Sequence, residues 1–189
     1  MACIGIIEWG LEMACGTPTS SFNRIQGAKL INAADIASFT VDNVSRAIIT
    51  MKENKMGHEI TTVNNALTLT VGLKSQDIMP GAHDVTISFK QFTPAGNSGV
   101  SSSGSVLGIV NWLARAELVF AIDHGNGVYR VYGLGAPLVC LEYNLDSTAD
   151  EYASVTYGVE DWQVGTTIHV LTKADYDALS TPAAAPKES

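Results

Sequence analysis

Cysteine is scarce in this chain, and long apolar runs are missing. The three cysteines among 189 residues, Cys3, Cys15 and Cys140, form an odd set without the Cys-x-x-Cys spacing of zinc and redox sites. No window approaches the ~20 apolar residues of a membrane span, and the N-terminus lacks the basic region of a signal peptide. The sequence therefore predicts reduced structural thiols, no disulfide framework, no membrane contact and assembly in a cytoplasm.

Basic side chains are also few. The 11 lysines and arginines face 19 aspartates and glutamates, which gives a formal net charge of −8. Nucleic-acid binders neutralise phosphate with clustered Lys and Arg, and no such cluster occurs here. No lysine or arginine lies between Arg130 and Lys173, an interval that contains Glu142, Asp146, Asp150, Glu151, Glu160 and Asp161. Because strand-like runs lie within or beside this interval, it predicts an acidic folded surface that repels phosphate; ordinary solvation of loops is the alternative.

Signatures of catalysis and of nucleotide binding are absent as well. The four histidines lack H-x-x-x-H spacing, and the chain has no G-x-S-x-G elbow, no phosphate loop and no EF-hand pattern. The pair Asp123-His124 fits the chemistry of a hairpin turn better than acid/base catalysis. We therefore predict no cofactor, no metal and no enzymatic activity. An active site assembled from residues distant in sequence is the last-ranked alternative.

What the chain does contain is alternation of period two. With 46% hydrophobic residues the composition is that of a globular domain. Leu67, Leu69 and Val71 alternate with small polar residues, and residues 84–90 repeat the alternation after the turn signal at 79–81. These segments predict an antiparallel pair with one apolar and one hydroxyl-rich face. Residues 47–52 begin the same β signal, so we also expect a hairpin over 47–73.

Turn and cap residues predict further elements. Strand-like residues 118–122 and 128–132 flank Asp123-His124-Gly125-Asn126-Gly127, which indicates a tight β-hairpin. Further strands are expected at 29–32, 138–143, 153–157 and 167–171. Ser105 can cap a main helix that ends near Arg115, and Thr172 can cap a short C-terminal helix. The fold class predicted is mainly β: an antiparallel β-sandwich or barrel with one flanking α-helix, the short C-terminal helix and a long mobile loop.

A stretch without charge lies between Gln91 and Ala114, and its glycine- and serine-rich part predicts a flexible loop over 93–105. Long loops in compact domains often serve binding, so we expect this one to order against a neighbouring subunit; an exposed linker is the alternative. The candidate contact residues are Gly96, Asn97, Ser98, Gly99, Val100 and Ser101. The domain organisation predicted is a single β domain over 1–180, with an N-terminal arm over 1–28 and a disordered tail over 181–189.

Three loose patterns resemble the major tail tube protein of tailed bacteriophages. They are Met1-Ala2-Cys3 with the later Cys15-Gly16, the 118–132 hairpin running into Gly133-Leu134-Gly135, and the strand that ends in Val155-Thr156-Tyr157-Gly158-Val159-Glu160. The family has a β-sandwich or barrel core with a flanking helix. The resemblance implies a structural virion protein, assembled in the host cytoplasm, that forms rings, commonly hexamers. The rings stack into a tube through which genome DNA passes without sequence-specific binding.

The resemblance also implies partners and sites. The partners are copies of the chain itself and other tail or connector proteins. The candidate lumen acids are Asp146, Asp150 and Glu151, and the favoured contact elements are the loop over 91–105 and the hairpin over 47–73. Head-tail connector, tail terminator and capsid decoration proteins are alternatives within the virion. A carbohydrate-binding β-sandwich is an alternative from another class, with Trp9, Trp112, Trp162 and Tyr129 as stacking surfaces.

Overall fold

The computed structural model describes residues 25–60, 62–73, 83–92, 113–146, 152–159 and 165–183. The loop expected over 93–105, the first part of the predicted main helix and most of the N-terminal arm lie outside these residues. At the described end of that helix, residues 113–115 are helical. Gly27 and Ala28, at the end of the predicted arm, belong to the first strand, and Ala183, within the predicted tail, pairs in a parallel bridge with Glu53.

The described part of the chain is mainly β, as predicted. A 3₁₀ turn, Ala33–Asp35, lies between the first two strands, and the C-terminal helix, Lys173–Ala178, follows the last one. The strands are β1 (Gly27–Asn32), β2 (Ile36–Val41), β3 (Ala47–Met51), β4 (His58–Glu59), β5 (Thr62–Leu73), β6 (His83–Phe92), β7 (Leu118–Asp123), β8 (Tyr129–Tyr132), β9 (Val139–Asp146), β10 (Tyr152–Gly158) and β11 (Ile168–Leu171).

These strands form three antiparallel sheets. One has five strands in the order β11-β8-β7-β1-β4, one has four in the order β5-β6-β10-β9, and β2 and β3 form a separate hairpin. The predicted pairing of β5 with β6 is confirmed. The hairpin expected over 47–73 is wrong, because β3 pairs with β2 instead. A local turn explains this choice: the Asp42 carboxylate accepts hydrogen bonds from the backbone N–H groups of Val44 (2.9 Å) and Arg46 (2.8 Å).

The five-stranded sheet is the middle layer, with an apolar core on each face. Its central strand β7 is buried over Leu118–Ile122, so its side chains alternate between the two cores. The first core lies between this sheet and the four-stranded sheet, as a sandwich requires. It contains Leu30, Leu118, Phe120, Ile122 and Tyr132 from one sheet and Val85, Ile87, Phe89, Val155 and Tyr157 from the other. The second core lies under the β2–β3 hairpin and the C-terminal helix, and it contains Ile31, Ala47, Met51, Val119, Ala121, Val131, Leu171, Tyr176 and Leu179.

The predicted hairpin between β7 and β8 is confirmed, and its turn chemistry is the expected one. Gly125, Asn126 and Gly127 all have positive φ, at 77°, 53° and 77°. Only glycine and asparagine adopt this region readily, which is why the turn forms at this sequence. The Asp123 carboxylate accepts a hydrogen bond from the Gly125 N–H at 2.7 Å. Asp123 therefore stabilises the turn, as the hairpin interpretation requires.

The C-terminal helix is held by its cap and by one buried lysine. Thr172 and Asp175 form a reciprocal capping box, which confirms the predicted N-cap. Arg46 in the β2–β3 turn region forms an ion pair with Asp175 at 3.1 Å. Lys29 of β1 is 3% exposed, donates from Nζ to the Tyr176 carbonyl at 2.7 Å and lies 4.1 Å from the centre of the Tyr176 ring. Burial lowers the pKa of Lys29, while Asp177 and Glu59 oppose that shift.

Candidate functional site

One face of the four-stranded sheet faces away from the sandwich core, and it carries mostly hydroxyl groups. The register aligns Thr68 of β5, Ser88 of β6, Thr156 of β10 and Glu142 of β9 in a single row across the four strands. We define the hydroxyl face as the outward residues of this sheet, which are Thr68, Thr70, Asp84, Thr86, Ser88, Lys90, Glu142, Asn144, Ser154 and Thr156. The predicted division into an apolar and a hydroxyl-rich face is thereby confirmed.

Polar groups on the hydroxyl face bind one another. Across the strands, Ser88 Oγ of β6 and Thr156 Oγ1 of β10 lie 3.0 Å apart, and such a cross-strand pair stabilises the sheet. Within β9, Asn144 Nδ2 donates to Glu142 Oε1 at 2.8 Å. The face contains two acids, Asp84 and Glu142, and one lysine, so it offers no basic cluster to a phosphate chain.

The two edges of the four-stranded sheet are β5 and β9, and each pairs with one described strand only. β5 is 12 residues long and contains neither a charged residue nor a proline. β9 has a bulge opposite Thr156/Tyr157, where Leu141 is 54% exposed. Gly158 makes room for that leucine, because a Cβ at position 158 would lie 2.5 Å from Leu141 Cδ1. Both edges therefore present backbone groups and apolar side chains.

The predicted site residues are only partly within the described chain. Asp146 is the last residue of β9 and pairs in register with Tyr152. Asp150, Glu151 and the six candidate loop residues at 96–101 lie outside the described residues. Sequence reasoning did not select Glu142 as a wall residue, although the period-two pattern of 139–146 puts positions 142, 144 and 146 in one series. Cys140 is a free, partly buried thiol, as a structural cysteine would be.

A cleft of about 500 Å³ lies at the β5 edge of the sandwich. It is lined by Ile25, Leu67, Thr68, Leu69 and Val71 on one side and by His124, Arg130 and Tyr132 on the other. A smaller cavity of about 110 Å³ adjoins it and shares His124 and Arg130. The cleft lies where residues of β5 and β8 face each other at the border of the first core. Leu67 and Leu69 are half-buried, and Val71 is 42% exposed.

The polar end of this cleft is formed by the side chains of His124, Arg130 and Tyr132. His124 Nε2 and the Tyr132 hydroxyl lie 2.8 Å apart. Burial lowers the pKa of His124, and the neighbouring Arg130 guanidinium lowers it further, so both effects favour the neutral imidazole. Burial also raises the pKa of Tyr132. The sequence did not indicate this group, because the alternation in 129–132 is typical of a strand whose arginine faces solvent.

Tyr129 cannot serve as the sugar-stacking surface that the carbohydrate alternative requires. It is 8% exposed and packs against Tyr176, with ring centres 4.9 Å apart. The other three aromatic candidates, Trp9, Trp112 and Trp162, lie outside the described residues. Within the described ranges, no group of three His, Cys, Asp or Glu side chains converges to hold a metal ion. No helix in those ranges has the length and apolar character needed to cross a membrane.

Neither a protein-family model nor a curated protein matches this chain. The resemblance to tail tube proteins therefore depends on the sequence patterns given above.

Proposed function

We propose that this protein is a structural virion subunit whose copies join edge to edge into rings, and that the rings stack into a phage tail tube for DNA delivery. The observation that carries the proposal is the long, uncharged strand β5 at one edge of the four-stranded sheet, with β9 at the other edge, each paired with a single strand in the described part of the chain. The hydroxyl face then supplies the wall of the channel. The proposal names no catalytic role for any residue.

Edge strands normally carry features that prevent pairing with other chains. Lysines, prolines, bulges or short length serve this purpose, because an edge presents unpaired N–H and C=O groups. β5 has 12 residues and lacks charge and proline throughout, and after a register shift between Thr62 and Leu67 its pairing with β6 is regular over Leu67–Leu73. A strand of this kind is suited to pairing with the backbone of a neighbouring subunit.

Strand directions favour a particular contact between copies. The pairs β5–β6, β6–β10 and β10–β9 are all antiparallel, so β5 and β9 run in opposite directions. If the strands lie along the ring axis, β9 of one copy meets β5 of the next as a further antiparallel pair. This contact joins two different surfaces, and repeated contacts of that type close into a ring when the rotation permits.

The wall of such a ring would be the hydroxyl face, because the opposite face of the sheet is covered by the first core. A basic wall would hold the passing duplex, since about six to ten phosphate contacts make binding tight and salt-dependent. Hydroxyl groups with Asp84, Glu142 and the single lysine, Lys90, provide no basic cluster of that kind. Asp146, Asp150 and Glu151 extend the acidic series beyond Glu142 and remain the candidate lumen acids.

The test compares two lysine substitutions on the same face. Thr70 lies on the edge strand, and Thr86 is its register partner on the interior strand β6. We expect the wild-type chain to form rings or tubes as its concentration rises, measured by sedimentation velocity and negative-stain electron microscopy. Thr70→Lys should weaken this association about tenfold or more, whereas Thr86→Lys, which adds the same charge away from the edge, should retain it.

Two results would contradict the proposal. One is a wild-type protein that stays monomeric at all accessible concentrations, or that forms only dispersed trimers, as a capsid decoration protein would. The other is equal association of the Thr70→Lys and Thr86→Lys variants, which would show that β5 is not the contact.

A further inference from the structure

We propose that the cleft at the β5 edge binds a small carboxylate with an aliphatic body, held by Arg130 at its polar end and by the leucines of β5 along its wall. This inference is independent of ring formation, because every residue that it uses belongs to one chain. The cleft volume of about 500 Å³ lies within the range of small-molecule sites, ~300–1,000 Å³.

The position of Arg130 in its strand is the first argument. Its neighbour Tyr132 lies on the same face of β8 and is buried in the first core. In register, Arg130 lies between Ile122 of β7 and Val170 of β11, two apolar residues. Arg130 is exposed and lines the cleft, although both of its register partners are apolar. The arginine therefore places a cation at the mouth of an apolar space.

The charge balance is the second argument. Arg46, Lys55 and Lys173 each form an ion pair with an aspartate. Arg130 forms no ion pair with an acid among the described residues, although the chain carries a net charge of −8. An arginine presents a planar fork of donors that matches a carboxylate with two parallel hydrogen bonds. An anionic head group would give Arg130 a charged partner beside the hydrogen bond that it makes with Tyr132.

The other polar groups limit the charge of that head group. Arg130 is the only lysine or arginine among the described residues that line the cleft, and His124 is already bound to the Tyr132 hydroxyl. One cation matches one negative charge, which favours a carboxylate over a doubly charged phosphate. Ile25, Leu67, Leu69 and Val71 then cover an aliphatic body. A carboxylate with a chain of several methylene groups meets both requirements.

The experiment titrates the full 189-residue chain with sodium octanoate by isothermal titration calorimetry, with acetate and octanol as partial ligands. We expect octanoate to bind, and acetate and octanol each to bind at least about tenfold more weakly. Arg130→Gln should weaken octanoate binding roughly tenfold to hundredfold and leave octanol unchanged, because a charged hydrogen bond is lost. Arg115→Gln removes an equal charge from an exposed residue outside the cleft lining and should bind octanoate as the wild type does.

A second pair of variants tests the wall and keeps the proposal testable if Arg130→Gln misfolds. Val71→Asp places a carboxylate in the cleft lining, and Thr70→Asp places the same charge one residue away on the hydroxyl face. Val71→Asp should weaken octanoate binding, and Thr70→Asp should not. The proposal is overturned if octanoate does not bind at millimolar concentration, or if the members of either pair behave alike. Tighter binding of octyl phosphate than of octanoate would refute the carboxylate assignment.

Discussion

The packing of the two large sheets can be tested through Phe89 and Phe120. Phe89 belongs to the four-stranded sheet and Phe120 to the five-stranded sheet, and both are at most 1% exposed. Their ring centres lie 6.4 Å apart with an interplanar angle of 63°, an edge-to-face contact. Leucine at either position keeps the site apolar but removes the aromatic contact. A double-mutant cycle of Phe89→Leu and Phe120→Leu therefore measures the contact between the sheets.

The size of the effect follows from burial and geometry. Truncating a buried Phe to Ala costs about 3–5 kcal/mol, and Leu retains much of the volume, so we expect each single variant to lose about 1–3 kcal/mol. The loss should lower the Tm by about 2–4 °C per kcal/mol for a chain of this size. Because an aromatic pair contributes about 0.5–1.5 kcal/mol beyond area burial, the double variant should lose less than the sum of the singles by that amount.

The assay is urea unfolding followed by circular dichroism, with a second cycle as control. Val131 is also fully buried, but it lies in the second core, on the other face of the five-stranded sheet. The losses from Phe89→Leu and Val131→Ala should add within about 0.3–0.5 kcal/mol. Additive losses for Phe89 and Phe120, or equal coupling in both cycles, would refute the three-layer arrangement.

Two further predictions concern single hydrogen bonds. Tyr157→Phe removes the hydroxyl that donates to the Leu113 carbonyl at 2.7 Å, and it should lower the free energy of unfolding in urea by about 1–3 kcal/mol. An unchanged urea midpoint would contradict this prediction. The hydrogen bond from the Thr172 hydroxyl is the largest cause that lowers the pKa of Asp175 in the folded protein. The ionised carboxylate therefore stabilises the fold above the unfolded pKa of about 3.9, and this stabilisation is lost as pH falls through the pKa of the folded state. Asp175→Asn should therefore cost about 0.5–2 kcal/mol at pH 7 and progressively less below pH ~4, whereas the exposed Asp177→Asn should cost less at pH 7.

Short sequence patterns correctly predicted the turn, the helix cap and the alternating strand, because each of these depends on neighbouring residues. The glycines and asparagine at 125–127 adopt positive φ, and Thr172 caps the helix that follows it, because each depends on a few adjacent residues. The alternation in 84–90 predicted both the strand and its apolar face, with Val85, Ile87 and Phe89 buried. Pairing between distant strands was not predictable in this way. The expected hairpin over 47–73 was wrong for a local reason, since the turn that Asp42 stabilises pairs β3 with β2 instead.

The environment of Arg130 on β8 could not be predicted from the sequence. In a strand with one buried face, the alternation of Tyr129, Arg130, Val131 and Tyr132 would place Arg130 toward solvent. The five-stranded sheet is instead covered on both faces, so Val131 packs in the second core and Tyr132 in the first. Arg130 shares the Tyr132 side, yet it is exposed and lines the cleft beside β5.

The sequence by itself therefore determined the class of fold, the turns, the cap and the hydroxyl-rich surface, because these depend on contacts within a few residues and on period-two alternation. Only the tertiary structure decided that Lys29 pairs in register with Ala121, that one sheet lies between two cores, and that a cleft opens beside Arg130. Those features come from packing among elements far apart in the chain, where many pairings of similar apolar strands have comparable local energies.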